Sequence, residues 1–213
     1  MTEEEAQPDE EPEKHLEGEG HAHHRFNPER AQEFRKPDRL ESLRLNELAS
    51  KLELNPGNQL LDLGTGSGAI LPYFSDYLLD GAVIGSDVNE EMLDMAREYV
   101  RENELDNVVL LKNEPDRLPN VDRTQDAVLI LSSLHEFSAP EIMLREVERI
   151  LKPGGVLAII EWRYEETDEG PAVDHRLDPG RIEDWCEKAG LRNFEATRWT
   201  DGGYDLYRSW KTE

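Results

Sequence analysis

The chain has 213 residues, enough for one domain with a terminal extension and enough to bury a core without disulfide or metal staples. A single cysteine, Cys186, excludes a disulfide framework and a multi-cysteine zinc site, and it fits a reducing compartment. With 48 acidic against 24 basic residues the formal charge is −24, a balance that repels phosphate backbones and disfavours a nucleic-acid partner.

Residues 1–24 hold nine acids, one lysine and His15, His21, His23 and His24, with almost no large apolar side chain. Such a segment cannot bury enough to order itself and is expected to be a disordered acidic tail. Its His-Ala-His-His run has the ligand chemistry for a transition metal. The reading taken is a solvated tail with incidental histidines, and no metal site is assigned. The other 189 residues still carry −16, and only 7 of the 24 basic residues are lysine. The opening MTEEEAQPDEEPE is neither basic nor apolar, and no apolar run approaches the roughly 18 residues of a membrane span. A secretory leader and a membrane span are therefore not expected, and a cytoplasmic location is.

Beyond the tail, residues 25–57 read as an N-terminal helical segment and 58–213 as the main domain. The spacing predicts a helix from Pro37, with Leu45, Leu48, Ala49 and Leu52 on one face and Pro56-Gly57 ending it. From there short apolar strands alternate with helical patterns, the signature of an α/β fold with a mainly parallel sheet. Strand one is Gln59 to Asp62, followed by the turn Gly64-Thr65-Gly66-Ser67-Gly68 and a helix through Leu79. Strand two is Ala82 to Asp87, and its helix runs from Asn89 to Glu104 with Met92, Ala96 and Val100 on one buried face. Strand three is Asn107 to Leu111 and strand four Asp126 to Leu131.

Ser138-Ala139-Pro140-Glu141 reads as a capping box for a helix that buries Met143, Leu144, Val147, Ile150 and Leu151. Lys152-Pro153-Gly154-Gly155 stops it, and strand five is the apolar run Val156 to Trp162. Asp178-Pro179 opens a helix with Ile182, Trp185, Cys186 and Ala189 inward and Gly190 at its end. Phe194–Trp199 and Tyr204–Trp210, separated by Thr200-Asp201-Gly202-Gly203, form an antiparallel hairpin. The fold class is thus α/β, a Rossmann-like doubly wound sheet of seven strands, mostly parallel with an antiparallel C-terminal hairpin.

The chemistry concentrates in Leu60-Leu61-Asp62-Leu63-Gly64-Thr65-Gly66-Ser67-Gly68. Glycines where a strand turns into a helix let backbone approach a ligand and aim helix N–H groups at it. This turn falls at the carboxyl edge of strand one, where ligands of open parallel sheets bind. Asp87, 19 positions after Gly68 and at the end of strand two, is placed to accept hydrogen bonds from both hydroxyls of an adenosine ribose. Two cofactors compete. Gly64-x-Gly66-x-x-Ala69 satisfies the loose dinucleotide fingerprint, which keeps an NAD(P)-dependent oxidoreductase as an alternative. Its one Tyr-x-x-x-Lys match, Tyr207 to Lys211, falls on a strand, where the spacing holds the two side chains too far apart for hydride-transfer work. Asp62 opposes that alternative, since a carboxylate repels a pyrophosphate but meets an ammonium group. The nucleoside cofactor with an amino acid in place of the pyrophosphate is S-adenosylmethionine.

At these residues the sequence resembles the class I S-adenosylmethionine-dependent methyltransferases over residues 36–210, and within them the UbiE-like, methyltransferase type 11 group. Motif I is similar to Asp62–Gly68 and motif II to Ile84-Gly85-Ser86-Asp87. Later motifs resemble Asp126–Leu131 with its following Ser-Ser-Leu-His, and Leu151-Lys152-Pro153-Gly154-Gly155-Val156-Leu157. The resemblance implies that Gly64, Thr65, Gly66, Ser67 and Gly68 pass under the methionine part, Asp62 orients its amino group, Asp87 holds the ribose, Val88 lies against adenine and Ser132 lines the cofactor. The aspartate such families place after strand three is missing. Asn113-Glu114-Pro115-Asp116 stands there, so Asn113 or Glu114 must substitute.

The resemblance further implies methyl transfer to a small-molecule acceptor with release of S-adenosylhomocysteine. An S-adenosylmethionine-binding regulatory protein without catalysis is the second alternative. His135, just past strand four, is the candidate base, with a structural histidine as the other reading; Glu136 beside it reads as a helix-entry charge. His175, a second candidate catalytic residue, and Arg176 lie in the long connection after strand five and are candidates for binding an anionic acceptor, against a reading as surface salt-bridge partners. Arg25-Phe26 and Phe34-Arg35-Lys36-Pro37 are candidates for a lid over the cofactor, against a reading as a linker with apolar anchors. The Asn/Asp-Pro-Pro-aromatic motif of DNA amino-methyltransferases is absent, since Ser132-Ser133-Leu134-His135 occupies its place.

Overall fold

A computed structural model describes residues 33–167 and 169–213. The acidic tail, its histidine run and Arg25-Phe26 lie outside the described residues. Seven strands form one sheet: β1 (Gln59–Leu63), β2 (Ala82–Asp87), β3 (Val108–Lys112), β4 (Gln125–Leu131), β5 (Leu151–Trp162), β6 (Leu191–Arg198) and β7 (Tyr204–Lys211). Their order is β3-β2-β1-β4-β5-β7-β6. The first five pair in parallel, and β7 runs antiparallel to both β5 and β6. The order reverses between β1 and β4, which opens a crevice at the carboxyl edge of those two strands.

Strand alternation divides the core between the two faces of the sheet. On one face Leu60, Val83, Leu129, Ala158 and Ile160 pack against α1 (Pro37–Ser42), α2 (Leu45–Lys51) and α3 (Leu71–Tyr77). On the other, Leu61, Leu63, Val128, Ile130, Leu157 and Ile159 pack against α5 (Pro140–Ile150) and α6 (Pro179–Ala189). Between these elements α4 (Glu90–Glu102) buries Met92, Leu93 and Ala96, and Asn89 caps it by accepting the Glu91 N–H at 2.9 Å. Val100, expected on that face, is half-buried. At α6, Asp178 is the N-cap, accepting the Arg181 N–H, and Gly190 ends the helix with φ of 98°.

Three local expectations are corrected. The N-terminal helix is two helices, broken where Arg44 adopts a left-handed φ of 55°. Tertiary bonds hold that break: Arg44 Nη1 donates to the Trp199 carbonyl at 2.7 Å, and the Trp199 indole N–H donates to the Leu43 carbonyl at 3.1 Å. The capping box does not form, because α5 starts at Pro140 and Ala139 takes the cap position. Glu141 instead accepts the Trp185 indole N–H at 3.0 Å, tying α5 to α6. Lastly, β5 begins at Leu151 without a loop. Leu151 pairs with Gln125 and Val156 with Ala127, so Lys152–Gly155 bulge inside the strand, with Lys152 Nζ on both Asp126 oxygens at 2.8 Å.

Candidate active site

The glycine turn leaves β1 at the carboxyl edge and is tied to β2. The N–H groups of Gly64 and Thr65 both donate to the Ser86 carbonyl, at 2.8 and 3.0 Å. Gly64 has φ of +79°, and a Cβ there would meet the Ser133 Oγ at 2.5 Å, so no other residue fits. Gly66 has φ of +54° but open space beyond it: no atom lies within 4 Å of where its Cβ would stand. One face of the turn is therefore free to receive a ligand.

Two carboxylates flank that face. Asp62 is 2% exposed and accepts the Thr65 hydroxyl at 2.7 Å. Burial, against the relief of that hydrogen bond and reinforced by the neighbouring Asp87 charge, raises its pKa to about 7. Asp87 accepts the Gly66 N–H on one oxygen and the Asn89 N–H on the other, each at 2.8 Å. Burial raises its pKa too, and the N–H groups of Asn89, Gly66 and Val88 oppose the shift. Val88 stands half-exposed beside it. This is a site with surplus negative potential and N–H groups already engaged, suited to a ligand that brings a cation and hydroxyl donors.

The strand-three departure resolves unequally. Asn113 is buried, and its amide is occupied at both ends, accepting the Ser86 hydroxyl at 2.8 Å and donating to the Glu114 carbonyl at 2.8 Å. It braces the loop. Glu114 is exposed, with its backbone bridged to Arg117.

At the end of β4, Ser132 takes a left-handed φ of 51° while its N–H donates to the Ile160 carbonyl at 2.7 Å. That turn sends the chain into a short 3-10 helix, Leu134–Glu136. His135 lies there with Nδ1 at 2.9 and 3.1 Å from the two Glu161 carboxylate oxygens, and its own N–H donates to Glu161 at 3.2 Å. A carboxylate only accepts, so Nδ1 carries the proton and Nε2 keeps its lone pair when the ring is neutral. Burial pushes the His135 pKa down, but the Glu161 hydrogen bond and the Glu161 and Glu136 charges outweigh it, and the net shift is upward from 6.5. Sequence reasoning missed Glu161. Its one signal was a lone charge near the end of an otherwise apolar central strand.

Two arginines four residues apart close over this edge from the N-terminal side. Arg35 donates to the Ser67 and Met95 carbonyls, at 2.5 and 3.0 Å, and its guanidinium carbon sits 3.8 Å from the Tyr99 ring centroid. Arg39 donates to the Tyr204 hydroxyl at 3.4 Å. The post-β5 candidates separate from the site chemistry. His175 is exposed in a 3-10 turn, and no hydrogen bond or ion pair engages its ring among the described residues. Arg176 is buried, with its guanidinium on the carbonyls of Pro171, Arg163, Glu165 and Glu169 at 2.6–3.1 Å. It pins the loop, in place of either the anion site or the surface salt bridge expected. Among the described residues no cluster of ligating side chains could hold a metal ion, and no helix is long and apolar enough to cross a membrane.

Residues 61–159 match a family model described as a methyltransferase domain, type 11. The chain is 36% identical over 109 residues to the ubiquinone/menaquinone biosynthesis C-methyltransferase UbiE of Vibrio campbellii, a match covering 50% of this chain and 42% of that protein. It thus spans less than half the length of that relative. A crystal structure of an S-adenosylmethionine-dependent methyltransferase from Aquifex aeolicus superposes with a TM-score of 0.79 at 33% identity, over 87% of this chain and 97% of that one. The phosphoethanolamine N-methyltransferase 2 of Haemonchus contortus, in complex with S-adenosyl-L-methionine, shares the fold alone: 16% identity, TM-score 0.66, 79% of this chain and 52% of that one. This chain belongs to the class I S-adenosylmethionine-dependent methyltransferases, an enzyme family, and S-adenosylmethionine is its cofactor.

The residues present fit that group. The space beyond Gly66 is open, and a buried carboxylate with a pKa of about 7 calls for an ammonium. The dinucleotide alternative falls with this identification. Tyr207 has a buried hydroxyl with no hydrogen-bond partner, and Lys211 Nζ donates to the Glu148 carbonyl at 2.7 Å.

Asp62 sets a stability test. Its folded-state pKa of about 7 exceeds the unfolded value, so the stability it contributes is full below about pH 4 and is lost as pH rises through about 7. Asp62→Asn should come close to the parent in urea denaturation at about pH 3.5 and gain on it by roughly 2–4 kcal/mol at about pH 8. An equal or lower stability at pH 8 would show that the carboxylate is not held out of water.

Proposed function

We propose that this protein transfers the methyl group of S-adenosylmethionine to a small-molecule acceptor and releases S-adenosylhomocysteine. The observation that carries this is the pair of buried carboxylates at the ends of β1 and β2, on either side of an open glycine turn. In this reading Gly64, Gly66 and Gly68 pass under the methionine part, with Thr65 holding Asp62 in place to receive the ammonium. Asp87 accepts the ribose hydroxyls, Val88 lies on the adenine, and Ser67 and Ser132 line the two ends of the site. With the Asn113 amide engaged in the frame, Glu114 is the side chain left to meet the adenine amino group. The N-terminal segment serves as a lid, supported by Arg35 across the Ser67 carbonyl. The named activity of the Vibrio relative makes carbon the first acceptor atom to test.

S-adenosylmethionine, when bound, supplies a methyl group on a sulfonium, a leaving group that needs no acid. The protein's work is then alignment and, for an acceptor that must lose a proton, a base. His135 is that base: Nε2 takes the acceptor's proton as the acceptor bonds to the methyl carbon, and Glu161 steadies the imidazolium that results. Because the His135 pKa is raised, its basic form dominates only at a pH above that raised value, and turnover climbs as pH rises through it. Glu161→Gln removes the carboxylate but leaves the burial, so the His135 pKa should fall, read from ring resonances in an NMR titration. An unmoved pKa would separate the two residues.

The cofactor assignment of these residues is tested by calorimetric titration with S-adenosylhomocysteine and, separately, NAD and NADP. The expected result is affinity in the micromolar range for the first alone, lost by about a hundredfold in Asp87→Ala. Unchanged affinity in that variant would remove Asp87 from the ribose, and binding of NAD instead would overturn the methyl-transfer reading.

A further inference from the structure

We infer that the acceptor carries an oxyanion and that Arg39 binds it, an inference that rests on the methyl-transfer reading above. Arg39, on α1, is half-buried, with its guanidinium carbon 4.1 Å from the Phe34 ring centroid and one N–H on the Tyr204 hydroxyl at 3.4 Å. Acids outnumber bases two to one in this chain, 48 to 24, yet among the described residues no carboxylate forms an ion pair with Arg39. Its one hydrogen-bond partner there is a neutral phenol, which leaves most of its five N–H donors uncommitted.

The phenol is itself set in place. Tyr204 is 7% exposed, its ring lies 4.3 Å from that of Trp162, and the Ser132 hydroxyl stands beside its oxygen. Tyr204 pairs with Trp162 across the β5–β7 ladder, next to the Glu161–Asp205 pair, so the phenol on β7 and the Glu161 carboxylate on β5 stand at the same edge of the sheet on opposite faces. Ser132 comes three residues before His135. The carboxyl edge of β4 and β5 therefore presents two kinds of chemistry. A guanidinium, a phenol and a hydroxyl stand toward the N-terminal helices, and the His135–Glu161 pair stands toward α5.

An acceptor seated between them with a neutral group toward Arg39 would leave a half-buried guanidinium without a counter-charge. One with a carboxylate or phosphate there would meet the cation with the fork geometry such oxyanions accept, and the phenol O–H could add a further bond. The anion would then point the rest of the acceptor toward His135. Carboxylate and phosphate share this chemistry, and binding separates them.

The test uses the full chain saturated with S-adenosylhomocysteine and titrated with three ring compounds of similar size: benzoate, phenyl phosphate and neutral benzamide. One or both anions should bind at least about tenfold more tightly than benzamide. Arg39→Gln should weaken the anions by about tenfold or more, and Tyr204→Phe by a smaller factor, while the affinity for S-adenosylhomocysteine stays within about twofold in both variants. Stronger binding of benzoate than of phenyl phosphate assigns a carboxylate, and the reverse assigns a phosphate. The inference is overturned if benzamide binds as well as the anions, if Arg39→Gln leaves anion binding unchanged, or if neither anion binds by about 10 mM to protein that holds S-adenosylhomocysteine. Failure to bind S-adenosylhomocysteine would overturn the methyl-transfer reading first, and this one with it.

Discussion

The Ser86 carbonyl accepts two N–H groups, from Gly64 at 2.8 Å and Thr65 at 3.0 Å, and that pair of hydrogen bonds clamps the glycine turn to the end of the neighbouring strand. Most of the candidate site depends on it. With the turn held there, the Thr65 hydroxyl reaches Asp62 and the Gly66 N–H reaches Asp87, so two carboxylates are fixed on either side of an open backbone face. Asn113 completes the frame by holding the Ser86 side chain from the next strand out. Rigid strand ends, rather than a mobile loop, set the positions of the charged atoms, which is the arrangement that aligns a ligand with little reorganisation.

The arrangement carries a cost that the sequence does not offset locally. Asp62 lies in a setting that penalises its charge, with another carboxylate nearby and the Thr65 hydroxyl donating to it. A cationic ligand removes that penalty, so part of the binding free energy is relief of strain already present in the free protein. The second half of the site obeys a different rule. Alternation along β5 and β7 sends Glu161 to the face of the sheet that meets α5 and Trp162 and Tyr204 to the opposite face. The carboxylate that holds His135 and the phenol that meets Arg39 thus come from neighbouring positions on two paired strands.

Much of this was legible in the chain. Ala82–Asp87 is a strand with the bounds the apolar pattern gave it, and the hairpin and the reversal at β1 follow from turn chemistry and the alternation of elements. What escaped has a common cause, which is that distant partners decided it. The helix break at Arg44 depends on Trp199, some 155 residues later, and no local propensity signals it. The expected cap at Ser138 loses because Glu141 serves α6 instead. Asn113 reads as a ligand contact in the sequence, yet it braces the frame, since its partner Ser86 lies on another strand. Glu161 was hidden inside a run whose apolar character spoke only of burial. Arg176 looked like a surface charge, and four backbone carbonyls of its own loop claim it.

The claim that a buried, proton-holding Asp62 receives the ammonium of the cofactor has a direct thermodynamic readout. Binding a cation beside a carboxyl whose pKa is about 7 lowers that pKa and expels its proton. Titrating S-adenosylhomocysteine into the protein in buffers of different ionisation enthalpy measures the number released. Close to one proton should be released at about pH 6, falling to nearly none at about pH 8. Proton release that is absent at pH 6, or that persists unchanged in Asp62→Asn, would contradict it.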